Sequence, residues 1–99
     1  MVTSVAIIIL NWNQAELTID TLSSFLKIKA NKFSYHIYLV DNASTDDSFL
    51  KFKKFYKNNQ KISLLKTKSN LGYAGGNNYG IKKALLKKYD YYLIANNDI

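Results

Sequence analysis

Short polar side chains gather in four stretches of this chain: Asn11-Trp12-Asn13, Asp41 to Asp46, Ser69 to Gly80, and Asn96-Asn97-Asp98. Asp41 carries a carboxylate able to accept from a base imide N–H or a ribose hydroxyl, and an Asx-turn is an equally open use of it. Asn96, Asn97 and Asp98 offer hard oxygen atoms of the kind that hold Mg²⁺ or Mn²⁺ together with substrate phosphates; an ordinary acidic turn has the same composition. The segment SNLGYAGGNNYG holds all four glycines. It contains neither a G-x-x-x-x-G-K nor a G-x-G-x-x-G phosphate motif. Gly72, Gly75, Gly76 and Gly80 permit tight turning and close helix–sheet packing. A helix starting near Ala74 would aim free N–H groups at an anion, and Asn77 and Asn78 suit caps of that helix equally well. Ser44 and Asp47 have capping-box spacing for the next helix and are assigned to structure. His36 sits mid-strand with no partner in prospect, a structural histidine. Trp12 reads as a core or edge aromatic, with walling a base as the rarer use.

These stretches need elements to position them. Val5–Leu10, Tyr35–Val40, Ile62–Leu65 and Tyr91–Ala95 are short continuous apolar runs, the pattern of strands covered on both faces of a parallel sheet. Between them lie helical stripes: Ile19, Leu22, Phe25 and Leu26; then Phe49, Phe52 and Tyr56; then Ile81, Ala84 and Leu85. The alternation predicts an α/β fold, a Rossmann-like open parallel sheet of about four strands with flanking helices and right-handed crossovers. In such sheets ligands bind beyond the carboxyl ends of the strands, where strand order reverses. The four polar stretches are the loops at those ends, whereas the opposite loops are mostly Lys, Asn and Phe. No helical pattern follows the fourth run, so one side of the sheet is expected bare. The chain reads as the first half of something larger, and a bare edge or apolar face favours self-association.

Residues 1–99 make a single domain. The absence of cysteine excludes a disulfide framework and thiolate metal sites, and is compatible with a reducing cytoplasm. Val5–Leu10 is too short to span a bilayer, and Met1–Ser4 lacks the basic residues of a signal peptide. The net charge of +7 resides largely in lysines of Lys51–Lys61 and Lys82–Lys88, which read as solvated helix faces. With no arginine in the chain, base reading on a nucleic acid is disfavoured and no nucleic-acid partner is expected. A non-catalytic basic α/β interaction or nucleic-acid-binding module stands as the alternative reading.

Taken in order, VAIIILNWN, YLVDNASTDDS, NLGYAGGNNYG and YYLIANND closely resemble the N-terminal half of inverting, family-two glycosyltransferases with the GT-A fold. Within that family the rhamnosyltransferase-like subgroup of bacterial surface-polysaccharide enzymes is the most similar, and the resemblance runs from Val5 to Asp98. It implies a nucleotide-sugar-binding domain that is part of a longer enzyme, with Leu10, Asn11 and Asn13 against the nucleotide. Asp41 corresponds to the family's base-recognising aspartate, with Asn42 beside it. Asn70, Gly72, Gly76 and Asn78 match the segment under the nucleoside and diphosphate, and Asn97 joins the nucleotide contacts. Asp98 matches the last acid of the D-x-D-like motif, which with Asn96 would bind Mg²⁺ or Mn²⁺. Two departures stand out: Asn96 replaces the motif's first acid, and Asn77 stands where many relatives have arginine. The implied partners are a nucleoside-diphosphate sugar and a saccharide or lipid-linked acceptor. The implied location is cytoplasmic, peripheral at the inner face of the membrane. The catalytic base is expected outside these residues, so the chain alone would not transfer sugar.

Overall fold

A computed structural model describes residues 2–29 and 32–98. In order, the elements are β1 (Thr3–Asn11), α1 (Ala15–Leu26), β2 (Phe33–Asp41), α2 (Ser48–Phe55), β3 (Ile62–Lys66), α3 (Gly72–Ala84) and β4 (Tyr91–Ala95). All strand pairings are parallel, in the order β3-β2-β1-β4. The four-stranded parallel architecture expected from the apolar runs is the one present. Chain order runs outward from β1 to β3 and then jumps back across β1 to β4. The reversal therefore falls between β1 and β4.

Side chains alternate across the sheet, as the period of two in a strand requires. Ile7, Ile9, Ile37 and Leu39 face α1 and α2, where they pack with Leu22, Phe52 and Tyr56. Ala6, Ile8, Tyr38 and Val40 face α3 and pack with Ala84. The first two helical stripes point inward, with Ile19, Phe25 and Leu26 packed around buried Leu22. Phe49 is half-buried beneath the ammonium groups of Lys53 and Lys66. The third stripe is shorter than expected. Ile81 and Ala84 pack on the sheet, but α3 ends at Ala84 and Leu85 turns out to solvent.

Two glycines one helical turn apart set the depth of α3. A Cβ on Gly80 would stand 2.7 Å from Ile8 Cγ2 and 2.9 Å from Val40 Cγ2. One on Gly76 would stand 2.5 Å from Leu10 Cδ1 and 3.0 Å from Asn42 Nδ2. With hydrogens there instead, the helix sits directly on β1 and β2 and brings its N-terminus to the carboxyl rim. Gly72, at φ +76°, makes the turn into it, and Asn70 Oδ1 accepts the Gly72 N–H at 2.8 Å. The helix consequently starts two residues before the expected Ala74.

β4 is an edge strand with apolar side chains open on both faces: Tyr91, Leu93 and Ile94 are all exposed. Among the described residues, no helix is long and apolar enough to cross a membrane. His36 does have a partner, contrary to the sequence reading: its Nε2 lies 2.7 Å from Ser63 Oγ on the neighbouring strand. Burial, then the charge of Lys87, holds its pKa below the usual 6.5. The histidine remains structural.

Candidate functional site

The carboxyl ends of all four strands share one rim, and the four polar loops meet there. Asn11 and Asp41 are register partners at the ends of β1 and β2. Both are fully buried. Asn11 Nδ2 donates to Asp41 Oδ1 at 3.0 Å. Ser44 Oγ donates to the same oxygen at 2.6 Å, and the Ser44 N–H reaches Asp41 Oδ2 at 3.1 Å. Three of about four acceptor positions on the carboxylate are thus filled from within.

This corrects the capping-box reading of Ser44 and Asp47. α2 begins at Ser48, Asp47 makes no side-chain cap bond, and Asp46 Oδ1 accepts the Ser48 N–H at 2.9 Å. A hydroxyl bound to a buried carboxylate is held about twice as strongly as one bound to a neutral group, so Ser44 turns to Asp41. Ala43 supplies the turn at φ 60°, a left-handed conformation that costs a non-glycine residue about 1 kcal/mol. Hydrogen bonds to Ser48 and the nearby Lys51 hold the exposed Asp46 carboxyl below its ordinary pKa.

Asparagines stitch the neighbouring loops together. Asn13, also left-handed at φ 54°, accepts the backbone N–H groups of Thr45 and Asp46 on Oδ1 and donates to Thr45 Oγ1. Asn42, buried beneath the glycine segment, donates to Asn70 Oδ1 and the Gly72 carbonyl, each at 3.1 Å. Its own Oδ1 accepts from the Leu71 N–H and from Thr67 Oγ1. Asn42 and Asn70 therefore hold the glycine segment in place, Gly76 is buried within it, and Gly72 and Asn78 lie exposed along it.

The β1–β4 side differs. An open cleft of about 580 Å³ lies at the strand-order reversal, lined by Leu10, Trp12, Asn13, Tyr73 and the Asn96-Asn97-Asp98 loop among others. Trp12 is 46% exposed and Tyr73 63%, so two aromatic faces flank polar groups. Trp12 belongs to neither core cluster and lines the cleft, which corrects the core half of the sequence reading. Tyr73 was not singled out in sequence; its hydroxyl donates to Asn96 Oδ1 at 3.0 Å. Asp98 is exposed, and no described side chain or backbone group donates to its carboxylate. Asn97 instead turns its Nδ2 inward to Gln14 Oε1 and Thr18 Oγ1, both at 3.1 Å.

Among the described residues no three His, Cys, Asp or Glu side chains form a cluster. The cleft's donor set is the Asp98 carboxylate with the amide oxygens of Asn96 and Asn97. These hard oxygens suit Mg²⁺ or Mn²⁺ sharing its coordination with phosphate, and carry too little charge to hold the ion unaided. Of the residues expected at the site, Leu10, Asn13, Asn96, Asn97 and Asp98 line the cleft, while Asn11, Asp41 and Asn42 lie beneath the rim beside it.

The model for the glycosyl transferase family 2 domain matches residues 6–98. No curated protein sequence matches the chain. Among solved structures, residues 1–349 of S. aureus TarS in complex with UDP-GlcNAc are similar with a TM-score of 0.78 at 22% identity. That match covers 97% of this chain and 27% of TarS 1–349. The mannosyltransferase PcManGT from Pyrobaculum calidifontis, in complex with GDP-Man and Mn²⁺, gives a TM-score of 0.75 at 19% identity, over 99% of this chain and 28% of that one. The chain thus spans little more than a quarter of either of these two chains, and its fold is that of the N-terminal half of the GT-A fold.

Proposed function

The chain belongs to glycosyl transferase family 2, and from that premise we propose that it forms the donor-binding half of an inverting glycosyltransferase. It takes a nucleoside-diphosphate sugar in the β1–β4 cleft. Together with the remainder of a longer enzyme, it passes the sugar to a saccharide or lipid-linked acceptor. The observation that carries this reading is the coincidence of the strand-order reversal with an open cleft that exposes Trp12 and Asp98. UDP-GlcNAc bound to TarS and GDP-Man bound to the mannosyltransferase PcManGT support the ligand class. The sequence motifs support a rhamnosyltransferase-like enzyme of surface-polysaccharide synthesis.

In this mechanism an acceptor hydroxyl attacks the anomeric carbon in line with the departing nucleoside diphosphate. A carboxylate outside these residues takes the hydroxyl proton. Trp12 offers a flat apolar face to the nucleoside, and buried Asp41, held by Asn11 and Ser44, fixes the β1–β2 side of the rim beside it. Asp98 and Asn96 would hold Mg²⁺ or Mn²⁺, which when bound supplies positive charge against the diphosphate. The same reading includes placement at a cytoplasmic membrane face, which exposed Leu85 and Leu86 beside Lys87 and Lys88 at the end of α3 would suit.

Titration with UDP, GDP and dTDP, with and without Mn²⁺, tests the reading. Binding that strengthens with Mn²⁺ and is lost in Asp98→Ala is expected. Steeply salt-dependent polyanion binding, indifferent to Asp98, would point instead to a basic interaction module. Sugar transfer by the chain alone would overturn the division of labour.

A further inference from the structure

The buried side of the rim and the open cleft are joined through one residue. Thr18, in the first turn of α1, is fully buried. Its hydroxyl donates to Asn11 Oδ1 at 2.7 Å and accepts from Asn97 Nδ2 at 3.1 Å. Asn11 in turn donates to Asp41. The bonds form a chain whose donors all point one way, from Asn97 through Thr18 and Asn11 to the Asp41 carboxylate.

That direction is not arbitrary. An ionised carboxylate only accepts, so Asn11 must present its NH₂ to Asp41 and its carbonyl oxygen to Thr18. Thr18 then spends its single proton on Asn11 and has only lone pairs left for Asn97. Asn97 must therefore turn its NH₂ inward. Its backbone carbonyl is occupied by Thr21 Oγ1 at 2.6 Å. This leaves Oδ1, which accepts from no described residue, as the side-chain atom for the cleft that Asn97 lines. Bonds in such a chain polarise one another, so the donor direction set at Asp41 is carried to the loop bearing Asp98.

We propose that Thr18 is a positioning residue for the donor site: it fixes the Asn96–Asp98 loop with Asn97 Oδ1 toward the cleft, and couples that loop to Asp41. This rests on the donor-binding reading for its functional consequence and on geometry alone for the coupling. Only a side chain that both accepts and donates can occupy the position. Valine has the shape of threonine but neither capacity, whereas serine keeps both.

The test compares Thr18→Val, Thr18→Ser and Asn97→Ala. The factor by which Mn²⁺ tightens UDP binding is expected to fall about tenfold in Thr18→Val, the loss appropriate to one buried hydrogen-bonded link. It should be retained in Thr18→Ser. The double variant with Asn97→Ala should lose no more than the larger single effect. An unchanged factor in Thr18→Val, or equal loss in Thr18→Ser, overturns the proposal. A nucleotide-free measurement runs in parallel. The side-chain amide NMR signals of Asn11 are expected to move in Asn97→Ala, a substitution at the rim that leaves Thr18 in place. Unmoved Asn11 signals refute the coupling, even where Thr18→Val does not fold. Absence of UDP and GDP binding in the parent protein would sink the donor-binding reading, while the amide signals still decide the role of Thr18.

Discussion

Asp41 and Asp98 stand on the same rim of the same sheet and live in opposite environments. Asp41 is fully buried, its oxygens engaged by Asn11 and Ser44. Asp98 is exposed beside a cleft, and no described residue donates to it. The difference follows from topology. β1 and β2 are adjacent and follow one another in sequence, so their loops close over each other. β1 and β4 are adjacent only because the chain reverses, and their loops, bridged by Asn97 and Gln14, leave an open cleft between them. A closed loop pair can hold a charge as a fixed structural element. An open pair leaves a charge for something that is not part of the chain. Tightness on one side of the rim stands beside openness on the other.

The comparison is broken most forcefully at Asp41. Asp41→Ala strands the Asn11 amide and the Ser44 hydroxyl in a buried space, and a loss of about 2–4 kcal/mol of folding stability is expected. Asp98→Ala removes an exposed carboxylate without partners and should change stability by no more than about 0.5 kcal/mol. Chemical denaturation of both variants checks the pair. Equal losses would mean that the two acids are not divided as the geometry divides them.

A smaller effect sharpens the boundary between the regions. Gly80→Ala would push a methyl group into Ile8 and Val40, both fully buried and β-branched, with no free rotamer to yield. Overpacking of this kind costs about 1–3 kcal/mol, against the roughly 1 kcal/mol that alanine returns in helix propensity. At Gly76 the nearest atom is the tip of half-buried Leu10, which can move. Gly76→Ala is therefore expected to cost less stability than Gly80→Ala. Leu10 lines the cleft and Asn42 anchors the glycine segment, so this variant should weaken nucleotide binding more. Thermal unfolding and UDP titration of the two variants separate the effects.

The strands and the rim were legible in the sequence because continuous apolar runs of Ile, Val and Leu allow few other arrangements. Asn13 and Asp98 were legible as cleft residues because of their loop positions, whereas Leu10, the end of an apolar run, was marked only by the family resemblance. Ser44 was misread: its spacing to Asp47 is local and visible, while its attraction to Asp41 and Asn11 exists only once β1 pairs with β2. Thr18 gave no signal at all, since a threonine in a helix is unremarkable until Asn97, 79 residues onward, arrives at its hydroxyl. Trp12 was underrated because an isolated tryptophan is usually packed, and only the cleft between the β1 and β4 loops leaves it open.

The smallest expected effect comes from a group that belongs to neither region. His36 lies mid-strand on β2, bonded to Ser63, and its pKa is held below 6.5 chiefly by burial and secondarily by Lys87. A histidine whose folded pKa is depressed favours the folded state in its neutral form. Above pH 6.5 it makes no pH-dependent contribution. As pH falls through 6.5 the unfolded chain takes up the proton first, and stability declines until the folded-state pKa is passed. Denaturation midpoints between pH 7.5 and 5 should show that decline, and His36→Phe should flatten it. Because His36 touches neither loop pair, nucleotide affinity should not follow the same curve. A decline that survives His36→Phe would mean that His36 is not its source, and the pH dependence would then belong to another group.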